Sequence, residues 1–282
     1  MENKMLKTIT IATISDLFEA LNSFSNSYVF RGHLSSKWRI ESSLIRNTFH
    51  LDDRTYYDLE DTAITDFKSK FNVYGKLRDK PKSRLGWLSI MQHYGAPTRL
   101  IDFTTSPFVA LGFIIENLNP CFIENQENQF SIFALNYTRL NEILLDKLIS
   151  NKQFKNYSIE QMYINAETVS DYIFSQTCTN VSYFMINEPL YANKRIDRQN
   201  GTFLISNRFL DIEETLAKKE YEDIDLTKIL IPSKLYRDIF CMLRKMNINL
   251  KTIYGDLDGL GKFIKSNLLY YSNLRRLTTA KS

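Results

Sequence analysis

Glycine and proline are scarce in this 282-residue chain, at 9 and 6, and nowhere do they gather with serine into a linker. A chain of this length often divides into two domains, but nothing marks a division, so one domain over residues 1–282 is expected. Cysteine is rarer still. Cys121, Cys178 and Cys241 are odd in number and widely spaced, with neither a disulfide framework nor metal-ligand clustering. That usage fits a reducing cytoplasm. No run approaches the roughly 18 apolar residues of a membrane span, and Met1-Glu-Asn-Lys opens without the apolar core of a signal peptide, so no membrane partner is expected. Charge of one sign is not concentrated either: the net charge is +4 and the pI near 8.7, with lysine and arginine dispersed. Nucleic-acid binding is permitted without being signalled, and Arg275-Arg276 with Lys281 reads as a solvated tail. The dinucleotide fingerprint Gly-x-Gly-x-x-Gly and the hydrolase elbow Gly-x-Ser-x-Gly are both absent. His33 and His93 with Asp102 come nearest to a metal set, but no ligand pair has helical spacing, so no metal is expected.

Hydrophobic residues make up 44% of the chain, charged residues 24% and aromatics 13%, enough for a sizeable core and for a stacking pocket. Polar and apolar groups alternate most sharply between Leu88 and Phe113. Leu88 to Met91 reads as buried, Gly95 and Pro97 as a turn, and Leu100-Ile101 as a short buried strand. Asp102 and Thr104 to Ser106 then stand before Pro107, which suits the first turn of a helix carrying Phe108, Val109, Leu111 and Phe113 inward. This brings Gln92, His93, Tyr94, Arg99, Asp102, Thr104, Thr105 and Ser106 near one strand end and one helix start, where free N–H groups attract anions. Two uses compete for these residues: ligand binding, or an Arg99–Asp102 ion pair with hydroxyls that only cap.

Elsewhere the chain reads as short strands among helices. Thr8 to Ala12 alternates as a strand, and Thr13 with Asp16 forms a capping-box pattern before a helix through Leu17, Leu21 and Phe24. Tyr28-Val-Phe-Arg-Gly32 is a second strand, ending in an arginine that could hold an anion beside a glycine that lets a ligand approach. Ser42 and Ser43 belong to a loop or cap. Tyr56 to Phe71 is a helix with Leu59, Ala63, Phe67 and Phe71 inward and Glu60 in water. Phe130 to Leu135, Thr202 to Ser206, Lys228 to Pro232 and Lys251 to Tyr254 read as strands, Ser233 as a cap, and Leu260 to Leu269 as the last helix. Leu140 to Ile149 and Ile159 to Phe174 read as helices within an insertion at about 136–190. Scattered strands without regular βαβ spacing predict an α+β fold: a mixed, mostly antiparallel sheet flanked by helices.

Several segments together resemble the FRG-domain family, named for a Phe-Arg-Gly signature. They are Phe30-Arg31-Gly32 running to Trp38, Gln92-His-Tyr-Gly-Ala-Pro-Thr-Arg-Leu-Ile-Asp102 running to Leu111, Arg195 to Phe203 around Gln199-Asn-Gly201, and Tyr254 to Leu260. The core signature thus spans 28–114 and 195–265. This resemblance implies a bacterial or phage cytoplasmic protein of genome-defence or toxin type. A looser likeness is to the ADP-ribosyltransferase fold of the arginine-serine-glutamate kind, with Arg31-Gly32, Thr104-Thr-Ser106 and Gln199 in the same order. It implies NAD as a substrate, Arg31, His93, Asp102 and Gln199 as catalytic candidates, and Gly32, Gln92, Tyr94, Arg99, Thr104, Thr105 and Ser106 as ligand-binding candidates. The third position departs from that pattern, because neutral Gln199 cannot stabilise a cationic sugar or act as a base. Either another carboxylate serves, Glu188 or Asp197 being in reach, or the protein senses a nucleotide, nucleic acid or phage component without turning it over. In the first case a protein or nucleic-acid target is implied as well.

Overall fold

Phe130, Ile132 and Ala134 alternate with Phe133 and Leu135, and all are buried, so this strand needs cover on both faces. It lies inside a single sheet in a computed structural model that describes residues 6–74, 80–125, 127–177, 179–187 and 194–279. The strands are β1 (Lys7–Thr10), β2 (Tyr28–His33), β3 (Ile101–Thr104), β4 (Gln129–Asn136), β5 (Phe184–Asn187), β6 (Gly201–Ser206) and β7 (Leu226–Pro232). Their order is β1-β7-β4-β2-β3-β6-β5, with only β1–β7 parallel. The fold is α+β, and its sheet is mostly antiparallel, as the scattered strands predict.

Helices cover the sheet in three groups. Helix α1 (Ile14–Asn22) is opened by the expected capping box of Thr13 and Asp16 and buries Leu17 and Leu21. A short α2 (Ser43–Arg46), capped by Ser42, is followed by α3 (Asp53–Tyr74), α4 (Arg84–His93), α5 (Pro107–Ile115) and α6 (Pro120–Glu124). The middle of the chain supplies α7 (Tyr137–Leu148), α8 (Ile159–Ile164), α9 (Ala166–Ser175), α10 (Lys194–Arg198) and α11 (Ile212–Leu216), and the end supplies α12 (Tyr236–Lys245), α13 (Leu250–Tyr254) and α14 (Leu257–Thr279). Helices α1, α5 and α12 cluster with Phe30, Ile132 and Ile229; α3, α4, α7, α8 and α9 cluster with Met185, Phe203 and Ile205; and the opposite face joins Val29, Phe103, Phe133 and Leu204 to Leu140 and Ile212. At roughly 1.5–3 kcal/mol for each large apolar side chain removed from water, these clusters dominate the stability.

Three expectations change. Lys251 to Tyr254 is helix, not strand, because Leu250, Ile253 and Tyr254 are buried at spacings of three and four, Asn249 caps the start, and Gly255 ends it at φ 70°. Residues 136–187 supply core as well as helices: Leu144, Leu148, Phe154, Met162 and Val169 are buried, and β5 pairs with β6. In α3 the buried face is rotated, leaving Leu59 41% exposed and Glu60 1% exposed. Ser233 does not cap α12; its hydroxyl donates to the Asn125 carbonyl at 2.9 Å, and a 3-10 turn precedes the helix.

Candidate functional site

Strands β2 and β4 share a register of six residue pairs, whereas β2 and β3 meet at one, Phe30 opposite Thr104. Beyond that pair the strands part, and a cleft of about 280 Å³ opens on the seam. Arg31 and Gly32 of β2, Gln92 and His93 at the end of α4, Asp102, Phe103 and Thr104 of β3, and Gln199 before β6 all line it. Ser89, Phe113, Phe203 and Tyr254 complete much of the wall.

Arg31 spans the seam. Its Nε donates to His33 Nε2 at 2.9 Å and its Nη1 to the main-chain carbonyl of Asp102 at 2.6 Å. An arginine Nε–H can only donate, so His33 Nε2 must be a bare acceptor, which leaves the ring proton on Nδ1, 3.3 Å from the Trp38 carbonyl. Burial, with the Arg31 charge adding to it, pushes the His33 pKa down to about 3, so the ring is neutral near pH 7. Burial also pushes Arg31 down to about 10, with Asp102 opposing and Arg46 reinforcing the shift. Arg31 therefore stays a cation at neutral pH. Among the described residues no carboxylate lies within ion-pair distance of it.

Asp102 is placed by a second chain of contacts. Gln92 Nε2 donates to Asp102 Oδ1 at 2.6 Å, and Thr98 in turn donates to Gln92 Oε1, which fixes the amide's orientation. On the other side of the cleft Thr104 Oγ1 donates to the Gln199 carbonyl at 2.7 Å and accepts from Ser106 N–H at 3.1 Å. Gln199 Nε2 is buried without a hydrogen-bond partner, and an orphaned donor of this kind costs about 1–3 kcal/mol unless something accepts from it. The cleft thus offers one cation, one carboxylate and one unused amide donor among aromatic edges.

Residues 26–121 match the FRG domain. The match runs from before β2 past the end of α5, so the FRG segment carries Arg31, Gln92, His93, Asp102 and Thr104, while Gln199 and Tyr254 reach the cleft from outside it. No curated protein and no solved structure matches the chain.

The remaining candidates within the FRG segment lie elsewhere. Arg99 does not pair with Asp102. It is 5% exposed and directs Nε and Nη2 at Glu60 Oε2, at 2.8 and 2.6 Å, with Tyr57, Phe174 and Phe209 rings around its guanidinium. Burial alone would raise the Glu60 pKa, but the charges and hydrogen bonds of Arg99 and Arg84 outweigh it and hold the carboxyl below its ordinary value. Ser106 caps α5, accepting from Val109 N–H at 3.3 Å ahead of Pro107. Thr105 is exposed and ties its N–H to the Asn200 carbonyl at 3.0 Å; Tyr94 is 69% exposed. None of these four is part of the 280 Å³ lining. Gly32 does line the cleft, and it is also needed for packing, since a Cβ there would lie 2.4 Å from the Ala110 carbonyl of α5. Asp197 is exposed and away from the lining, and Glu188 lies outside the described residues. His33, considered from sequence only as a metal ligand, is instead the residue that orients Arg31; its place two positions along the same strand was the signal. Among the described residues no group of three acidic, histidine or cysteine side chains could hold a metal ion.

Proposed function

We propose that the cleft binds a phosphorylated nucleoside, with NAD as the leading candidate, and that the protein is a defence- or toxin-type effector acting on it. The observation that carries this reading is Arg31: a cation anchored by a neutral histidine and a main-chain carbonyl, with no carboxylate partner among the described residues, beside an acceptor and a donor of opposite preference. Arg31 engages phosphate, because a guanidinium matches its oxygens in paired geometry. Asp102, steadied by Gln92, accepts from ribose hydroxyls, Gln199 Nε2 donates to a carbonyl or phosphate oxygen, and Phe113 and Tyr254 offer ring edges and faces to a base.

Turnover would need a carboxylate beside the sugar. Asp102 is the acidic residue of the lining, so an ADP-ribosyl-transferring or NAD-hydrolysing reaction would use it to stabilise the cationic ribose as nicotinamide departs. The amide at Gln199 favours the second reading, a binding or sensor module that holds the nucleotide intact. Incubation with NAD while nicotinamide release is followed, alongside calorimetric titration with NAD and ADP, separates the two. Release that disappears in Asp102→Asn supports the enzyme; binding without release supports the sensor. Absence of binding to either nucleotide defeats both.

A further inference from the structure

A smaller cavity of about 110 Å³ is lined by Arg31, Ser43, Arg46, Gln92, Leu100 and Asp102, among others. Arg31, Gln92 and Asp102 belong to both cavities, so they form the wall between them. A water needs roughly 10–15 Å³ of such space, so the cavity has room for a tetrahedral anion.

Arg84, Arg99, Arg139, Arg208 and Arg244 all sit in ion pairs. Arg31 and Arg46 face the same cavity, and among the described residues neither has an ion-pair partner. Arg46 spends Nη1 on the Glu41 carbonyl. The Ser43 hydroxyl spends its one proton on the Thr98 carbonyl and accepts from the Thr98 N–H, so the two guanidiniums dominate what the cavity can donate. Asp102 is on the same wall, but its Oδ1 is bound to Gln92 and it is in ion-pair contact with neither arginine. Asp102 attracts Arg31 more strongly than Arg46 repels it, and an anion lying between the two guanidiniums would be attracted by both.

We propose that this side cavity is a phosphate subsite, in which Arg31 and Arg46 together hold a diphosphate, so that the ligand is a nucleoside diphosphate or a diphosphate-bridged dinucleotide and not a nucleoside or monophosphate. This deepens the nucleotide reading and rests on it for the nucleoside half alone. Burial is the main cause of the lowered Arg31 pKa; Arg46 adds a smaller part, which Asp102 opposes and which an anion between the two guanidiniums would offset.

The experiment titrates wild type, Arg46→Ala and Arg46→Lys with AMP, ADP and inorganic pyrophosphate, and melts each protein without ligand. Wild type is expected to bind ADP and pyrophosphate more tightly than AMP. Arg46→Ala should weaken ADP and pyrophosphate by about ten- to a hundredfold, leave AMP nearly unchanged, and melt close to wild type because Arg46 is exposed and gives up only its bond to the Glu41 carbonyl. Arg46→Lys should restore part of the loss. Pyrophosphate that binds through Arg46 while both nucleotides fail would refute the nucleoside reading and uphold the subsite. Equal pyrophosphate affinity in wild type and Arg46→Ala, or no binding to wild type, overturns the subsite even if AMP binds.

Discussion

Replacing Arg31 with alanine separates a ligand clamp from a structural prop. The side chain makes two charge-assisted hydrogen bonds, to His33 Nε2 and to the Asp102 carbonyl, each worth about 1.5–3 kcal/mol. Against this stands the net effect of its surroundings, burial first and Asp102 opposing it: a pKa brought from 12.5 to about 10 costs the ionised form roughly 3 kcal/mol. The two nearly offset, and the open seam lets water reach the acceptors left behind. Arg31→Ala should therefore lose only about 0–3 kcal/mol of stability in urea melts, while nucleotide affinity falls by at least about tenfold. A double-mutant cycle with Asp102→Ala sharpens the test. The Asp102 carboxylate accepts from Gln92, not from Arg31, so the coupling in stability should stay below about 1 kcal/mol. A loss of 3–5 kcal/mol, the usual cost of breaking a buried pair, together with strong coupling, would refute the clamp.

Glu60→Gln should be far more damaging, costing about 3–5 kcal/mol, because it leaves Arg99 and Arg84 without their buried counter-charge; thermal melting would contradict the structural role of Arg99 if the variant were near-native. Gly32→Ala should cost about 1–3 kcal/mol or more, since its Cβ meets a backbone oxygen that cannot turn away, and an unchanged melting temperature would mean that α5 does not pack as closely as described. The pH dependence follows from His33, whose folded pKa of about 3 lies below its ordinary 6.5. Between those values the unfolded chain takes up a proton that the native chain refuses, so stability falls as pH drops from 6.5 toward 3 and is unaffected by this group above 7. At pH 5 the loss is about 2 kcal/mol. Urea melts at pH 7 and pH 5 should show that extra loss in wild type and not in His33→Gln; equal losses would mean that His33 titrates normally.

The elements legible in the sequence are those whose pattern had one explanation. Ser106-Pro107 announced α5 and Thr13 with Asp16 announced α1, because caps bond locally and leave their signature within four residues. β2, β4 and β7 are rich in β-branched, aromatic and other apolar residues over five positions or more, which reads as strand. β5 is only four residues long, and Phe184, Met185, Ile186 and Asn187 are buried throughout, which leaves no period of two. Lys251 to Tyr254 failed for a related reason: a single turn of helix is too short for its spacing to be distinguished from alternation. Glu60 looked solvated because its partners are 39 and 24 residues away, and no local pattern records a long-range ion pair.

The cleft was legible only in part for the same physical reason. Arg31 and Asp102 stood out as polar groups at strand positions, and the family likeness linked them with Gln199, but the carbonyl that Arg31 uses has no identity in a sequence. What joins these residues is the failure of β2 and β3 to continue their ladder past Phe30 and Thr104. Two constraints act on the β2 side of that gap: α5 presses its Ala110 carbonyl onto Gly32, and His33 turns the neighbouring arginine across the seam. A side chain at position 32 would push α5 outward, and a charged His33 would repel Arg31. The glycine and the neutral histidine therefore work as a pair on either side of the chain, one setting how near the helix lies and the other where the guanidinium points. The shape of the cleft and the charge within it are consequences of the same three residues, 31 to 33.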